Sequence, residues 1–218
     1  MAILLTTAFL PPLEYVAAIA EGMVLSRDRV VPSAVYLEAF ENYQKQSWRN
    51  RCRILTANGP MDLSFPVKHC GDLFHTPVSE VRVDYSVPWV RRTQYAIESA
   101  YFNSPFFIYY RDELFDILDS RPETLWELDL ELIRFFCRKI GIAPELIPTS
   151  EYVKHPSGDD YREVLHPKRS NSVLSDRGLD RGYWQLFRER FGFVPGLSVM
   201  DLLFNEGPES ICWIKNNS

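Results

Sequence analysis

The chain has 218 residues, of which 14% are aromatic and 24% charged. That composition excludes a disordered tract, a collagen-like rod and a disulfide-stapled mini-protein, and a chain this long buries roughly 70% of its unfolded surface without a metal or disulfide staple. A net charge of −5 argues against general attraction to nucleic acid or an anionic membrane, so any anion site has to be local.

Met1–Leu5 is apolar, but the run stops at Thr6 and Thr7 and carries no basic flank. It reads as a buried strand rather than a leader or a span, so the expected compartment is the cytoplasm, with no membrane insertion. Pro11 and Pro12 open a helix whose Leu13, Val16, Ala17 and Ala20 share one face, with Gly22 as its stop. Ala34–Leu37 is a second strand, which makes a βαβ start to a parallel sheet. Cys52–Ala57 and Met61–Val67 flank Asn58-Gly59, the signature of a β-hairpin. Pro66 places the second limb at an edge, and the whole sheet is expected to be mixed. Glu80–Asp84 is expected to add a short strand.

Helices follow. Trp89, Thr93, Ala96, Ile97, Ala100 and Tyr101 form one stripe ending before Pro105, and Ser120 caps a second helix that runs to Gly141. Residues 149–182 lose apolar periodicity and read as a long polar loop, either a lid over a site or disordered. Trp184, Phe187, Arg188 and Phe191 suggest a helix, and Ser198–Glu206 a last one closed by Gly207 and Pro208. The fold class is therefore α/β in a single domain. A sheet-rich part spans 1–88, a helical part 89–148, the polar loop 149–182 and C-terminal helices 183–218.

Asn42–Met61 holds Lys45, Arg49, Arg51 and Arg53 and no acidic residue, although the chain as a whole is acidic. Guanidinium forks suit carboxylate or phosphate, and Tyr43 and Trp48 offer ring faces. The stripe follows the second strand. Ligands of parallel sheets bind beyond the carboxyl ends of the strands, where Thr6 and Thr7 also fall. An anionic, ring-bearing ligand fits, and a salt-bridged structural patch is the alternative. His69, Cys70, Asp72 and His75 match no structural-zinc spacing, so a polar loop is expected there and no metal site. Cys52, Cys70, Cys137 and Cys212 form no CxxC pair and read as reduced thiols. Neither a GxSxG elbow nor a GxxxxGK[ST] or GxGxxG loop occurs. His155 and His166 lie in the polar loop as acid–base candidates. Ser198 and Asp201 look like a catalytic pair, yet Ser-x-x-Asp before Leu202, Leu203 and Phe204 is what a helix N-cap needs, and capping is the favoured reading.

Four blocks carry a family resemblance: AILLTTAFLPPLEY; ENYQKQSWRNRCRI with NGPMDLSFPV; WVRRTQYAIESAYFNSPFFIYY; and HPKR with YWQLFRERFGFVPGLSVMDLLFNEGPES. Together they resemble the WbqC-like protein family of bacteria through nearly the whole chain. Members occur among genes for surface polysaccharide, including O-antigen, which implies a transferase adding an acyl or aminoacyl group to a sugar. Residues carried over are Lys45, Trp48, Arg49, Asn50, Arg51, Tyr101, Pro105, Ser198, Asp201, Asn205 and Gly207. Thr6-Thr7-Ala8 and Pro11-Pro12 stand where many members have Gln-Pro and a tryptophan, and Gln94 lies where many have a histidine nearby.

The expected function is thus transfer to a sugar or related small molecule. An anionic acyl donor or nucleotide sugar is expected against Thr6, Thr7, Lys45, Trp48, Arg49, Asn50, Arg51 and Tyr101, with His166 or Asp201 as base. No cofactor is identifiable. The alternative is a noncatalytic protein that delivers a carrier or sugar intermediate to a partner enzyme, with a carrier protein as a further partner.

Overall fold

The structure is a computed structural model and describes residues 2–21, 25–26, 29–30, 34–68, 72–169 and 172–215. Gly22, His69 and Cys70, singled out in the sequence, lie outside the described residues. In chain order come β1 (Ile3–Leu5), α1 (Leu13–Glu21), the short antiparallel pair β2 (Leu25–Ser26) and β3 (Arg29–Val30), and β4 (Ala34–Leu37). A hairpin of β5 (Arg51–Thr56) and β6 (Gly59–Ser64) precedes α2 (Trp89–Tyr101), α3 (Phe107–Ser120) and α4 (Leu125–Ile140). Then follow β7 (Glu145–Pro148), β8 (Asp159–Asp160), α5 (Val173–Asp176), α6 (Arg188–Phe191), α7 (Val199–Glu206) and α8 (Ser210–Lys215). Among the described residues, no helix is long and apolar enough to cross a membrane.

The central sheet has the order β7-β4-β1-β8 and every pairing in it is parallel. Ile3, Leu4 and Leu5 face Val35, Tyr36 and Leu37 in register, so the carboxyl ends of β1 and β4 coincide. The α/β class and the βαβ start are as the sequence indicates. The hairpin forms a ribbon of its own rather than joining the sheet, which leaves the four-stranded sheet wholly parallel. Every residue from Leu13 to Ala20 is buried, and α1 packs against the C-terminal helices α5, α7 and α8.

Rings weld the layers together. Phe9 meets Phe65 of the segment after the hairpin at 4.8 Å between centroids, and Phe65 stacks on Trp89 of α2 at 5.0 Å. Helix α4 supplies Leu125, Leu128, Leu132, Ile133, Phe135 and Phe136 to the core. At about 1.5–3 kcal/mol for each large apolar side chain removed from water, this one face outweighs any surface ion pair.

Several boundaries differ from expectation. Helix α4 is capped by Thr124, not Ser120: the Thr124 hydroxyl accepts from Glu127 N–H and the Glu127 carboxylate accepts from Thr124 N–H. Ser120 instead ends α3, its hydroxyl donating to the Ile117 carbonyl. Glu80–Asp84 forms no strand. Val78–Glu80 is a 3₁₀ turn, and Arg82 and Val83 make only isolated bridges to Thr124 and Val67. The segment 149–182 is structured over its described residues and sends β8 into the sheet.

Candidate ligand-binding crevice

The strand order decides where a ligand fits. From β1 the chain moves by way of α1 to β4 and on to β7 at one edge, then returns to place β8 on the other side of β1. Connections therefore diverge between β1 and β8, the arrangement that opens a crevice outside the carboxyl ends of a parallel sheet. Thr6 and Thr7 follow β1, Glu38–Gln44 follow β4, and Tyr161–Glu163 follow β8. A cavity of about 510 Å³ lies there, with Phe40, Glu41, Gln44, Tyr152, Asp160 and Glu163 among its walls. A larger one, about 620 Å³, lies between α2 and α3, away from the strand ends.

Glu38 fixes the crevice. Its carboxylate, fully buried, accepts from Phe40 N–H at 3.0 Å, Thr149 Oγ1 at 2.9 Å, Val153 N–H at 3.0 Å and Arg162 Nη1 at 3.1 Å. One side chain thereby ties together the ends of β4, β7 and β8. Arg162 also donates through Nε and Nη2 to Asp160, which lowers the Asp160 pKa against the cost of burial.

Behind the crevice sits a buried polar cluster. Arg49 is 1% exposed; its Nε donates to Glu41 Oε1 at 3.0 Å and its Nη2 lies 2.6 Å from Oε2. Glu41 Oε1 also accepts from the Thr6 hydroxyl, and Tyr15 donates to the Thr6 carbonyl at 2.6 Å. Asp129 of α4 is fully buried, and among the described residues neither of its oxygens finds a hydrogen bond of good geometry. Burial pushes its pKa well above the ordinary carboxylate value, opposed by the nearby Thr7 hydroxyl and Arg49, which favours its protonated form. Burial and the nearby Asp129 together push the Tyr43 phenol up to about 12.

His166 is half-buried and feels the charge of Arg49. Burial and the positive charges of Arg169 and Arg49 lower its pKa, which leaves the ring neutral at pH 7. Its Nδ1 accepts from Lys168 N–H at 3.2 Å, which leaves the proton of the neutral ring on Nε2.

The structure brings together Thr6, Thr7 and Arg49 of the expected site around Glu41 and Asp129, and His166 lies within electrostatic reach of Arg49. The cationic stripe is not assembled: Arg49 points inward to Glu41, Lys45 is exposed, and Arg51 and Arg53 both pair with Asp62 across the hairpin at 3.3 and 2.7 Å. An arginine in an alternating strand follows the pleat, and here the facing strand presents a carboxylate. Trp48 is buried, its carbonyl accepting from Phe9 N–H, and Asn50 donates to the Phe65 carbonyl, so both shape the loop.

Tyr101 and Asp201 lie in a separate enclosed network. Asp201 Oδ2 accepts from the Tyr183 hydroxyl at 2.7 Å and Gln185 Nε2 at 3.1 Å, and burial raises its pKa to about 6. Tyr101 accepts from Leu55 N–H, and its hydroxyl favours the charged form of Asp201. Ser198 caps α7 through Met200 N–H. Asp72 and His75 make an exposed pair at 2.6 Å, and among the described residues no group of three or more His, Cys, Asp or Glu side chains is placed to hold a metal. Sequence reasoning missed Glu38, Glu41, Asp129 and Arg162. Glu41, eight residues before Arg49, was the nearest available signal.

No solved structure matches the chain. The uncharacterized protein Rv1507c of Mycobacterium tuberculosis is 29% identical to it over 193 residues, a match covering 77% of this chain and 81% of the relative. A sequence profile of the WbqC-like protein family matches residues 8–169, a stretch that holds β4, the Glu41–Arg49 pair, Asp129 and His166, and on that match the chain belongs to the WbqC-like protein family.

Proposed function

We propose that the protein is a transferase that modifies a sugar held in the strand-end crevice. The supporting observation is the chemistry of the walls. Carboxylates (Glu41, Asp160, Glu163), carboxamides (Asn42 and Gln44) and two part-exposed rings (Phe40 and Tyr152) line the cavity, while Arg162, the one guanidinium among the described residues there, is already paired. Carboxylates and amides serve hydroxyl groups, and ring faces serve the apolar side of a pyranose. The exposed Lys45 and Lys168 on the flanking loops supply positive charge for an anionic acyl donor or the phosphates of a nucleotide sugar.

Acyl or aminoacyl transfer places negative charge on a carbonyl oxygen. A neutral imidazole with its proton on Nε2 suits hydrogen-bond donation to that oxygen better than proton abstraction. His166 thus has the role of an oxyanion donor, with the buried Asp129 and the Glu41–Arg49 pair setting the field behind it. Asp201, enclosed with Tyr183 and Gln185, takes no part in this reading.

A noncatalytic sugar-binding role is the second reading. It is favoured by the same Nδ1 contact, which leaves His166 without a free basic nitrogen. A thermal-shift screen of nucleotide sugars, acyl-coenzyme A compounds and acyl carrier proteins tests the first. A ligand at about 100 times its Kd adds about 2.7 kcal/mol, several degrees of melting temperature. Stabilisation by a nucleotide sugar is expected, and a screen in which nothing hydroxyl-rich raises the melting point rejects the proposal. Binding without turnover, once donor and acceptor are both supplied, selects the second reading.

A further inference from the structure

The cations that pair with carboxylates near the strand ends contrast with two that, among the described residues, form no ion pair, at the cavity between α2 and α3. Arg91, Arg111 and Arg121 stand around about 620 Å³ together with Glu98 and Asp119, a local excess of positive charge in an acidic chain. Arg111 is committed to Glu98 at 3.1 Å and Asp112 at 3.2 Å, and Asp119 accepts from Gln94 Nε2 at 2.9 Å. Arg91 and Arg121 are held by rings instead. Arg91 Nε and Nη2 both donate to the Tyr95 hydroxyl, at 3.1 and 2.7 Å, and its guanidinium lies 5.2 Å from that ring's centroid. Arg121 lies 5.9 Å from the centroid of Tyr85.

These contacts fix the forks without neutralising them. Tyr85 is itself immobilised: its hydroxyl donates to the Pro122 carbonyl at 2.9 Å and its ring stacks on the buried Trp89 at 5.6 Å. Solvated surface arginines lose side-chain entropy when they bind; a guanidinium already seated on a ring loses less. The Tyr95 ring, 55% exposed, presents a flat apolar face on the same cavity wall. The cavity falls within the range that accommodates a small organic ligand.

We propose that this groove binds a nucleoside phosphate, with the phosphates taken by the forks of Arg91 and Arg121 and the base laid against Tyr95. The site is separate from the strand-end crevice and does not depend on what that crevice holds. The test is calorimetric titration with uridine diphosphate, adenosine diphosphate and inorganic phosphate, each against the wild type, Arg91→Ala, Arg121→Ala, Tyr95→Ala and the crevice variant Glu163→Gln. The expected result is saturable nucleotide binding, weakened at least about tenfold by either arginine substitution, as for loss of a charged hydrogen bond, and unchanged in Glu163→Gln. Tyr95→Ala is expected to weaken the nucleotides more than inorganic phosphate. Absence of saturable binding, arginine variants that bind as the wild type does, or phosphate binding as tightly as either nucleotide overturns the proposal. All the substituted side chains are exposed, and unchanged melting temperatures verify that the variants are folded.

Discussion

Arg49 and Glu41 face each other inside the protein, Nε to Oε1 at 3.0 Å and Nη2 to Oε2 at 2.6 Å, with the arginine 1% exposed. A buried pair loses more when one member is removed than when both are replaced by apolar side chains. Glu41→Gln is expected to lower stability by about 3–5 kcal/mol, and the double variant Glu41→Leu, Arg49→Met to recover most of that loss. Urea midpoints decide it. A loss below about 1 kcal/mol in Glu41→Gln means that Arg49 finds water or another partner.

Asp201 gives a pH signature. In the folded protein it titrates near 6, against an ordinary value of 3.8, because burial disfavours its charge. The folded state therefore holds the proton more tightly than the unfolded one. The stability this contributes is complete below pH 3.8 and is lost as pH rises through about 6. Asp201→Asn removes that loss. The stability of the variant relative to the wild type should rise between pH 4 and pH 7, by up to about 3 kcal/mol. A difference that stays flat over that interval contradicts the assignment.

Gly158 lets β8 approach β1. A Cβ there falls 1.9 Å from the Ala2 carbonyl oxygen, a backbone atom that cannot move without dragging β1. Gly158→Ala should cost about 1–3 kcal/mol. Hydrogen exchange should quicken at the amides of Asp159 and Tyr161, which bond to the Ala2 and Leu4 carbonyls. Unchanged protection of both amides means that the strand tolerates a wider gap.

The Thr124 cap anchors the helix that carries Asp129. Thr124→Ala removes the acceptor for Glu127 N–H and should cost about 1 kcal/mol, a few degrees in melting temperature. A variant that melts with the wild type shows that water replaces the cap.

The elements legible in the sequence are those whose burial leaves a period. AILL and AVYL announced β1 and β4, Asn58-Gly59 the hairpin, and the stripes of α2 and α4 their helices. Helix α3 was illegible because it exposes Ile108 and Tyr109 while burying only Phe107, Leu114 and Leu118, so apolar side chains on both faces blur the stripe. β8 was illegible for the opposite reason: two aspartates carry no strand propensity, and backbone pairing with β1 sets them in the sheet. The site divides the same way. Thr6 and Thr7 follow from where a parallel strand ends, and Arg49 and His166 stand out as chemistry-bearing residues. Glu38, Glu41 and Asp129 acquire their roles from burial and from partners distant in sequence, which no local pattern records.

The proposed hydroxyl-rich ligand sits in the crevice beyond β1, β4 and β8. Calorimetric titration of a nucleotide sugar identified by thermal shift, against the wild type, Glu163→Gln, Tyr152→Ala and Arg121→Ala, tests it most directly. Saturable binding is expected, weakened at least about tenfold by each crevice substitution, roughly the loss of one or two ligand hydrogen bonds or a ring contact. Affinity that survives both crevice substitutions, or that falls only with Arg121→Ala, would contradict it.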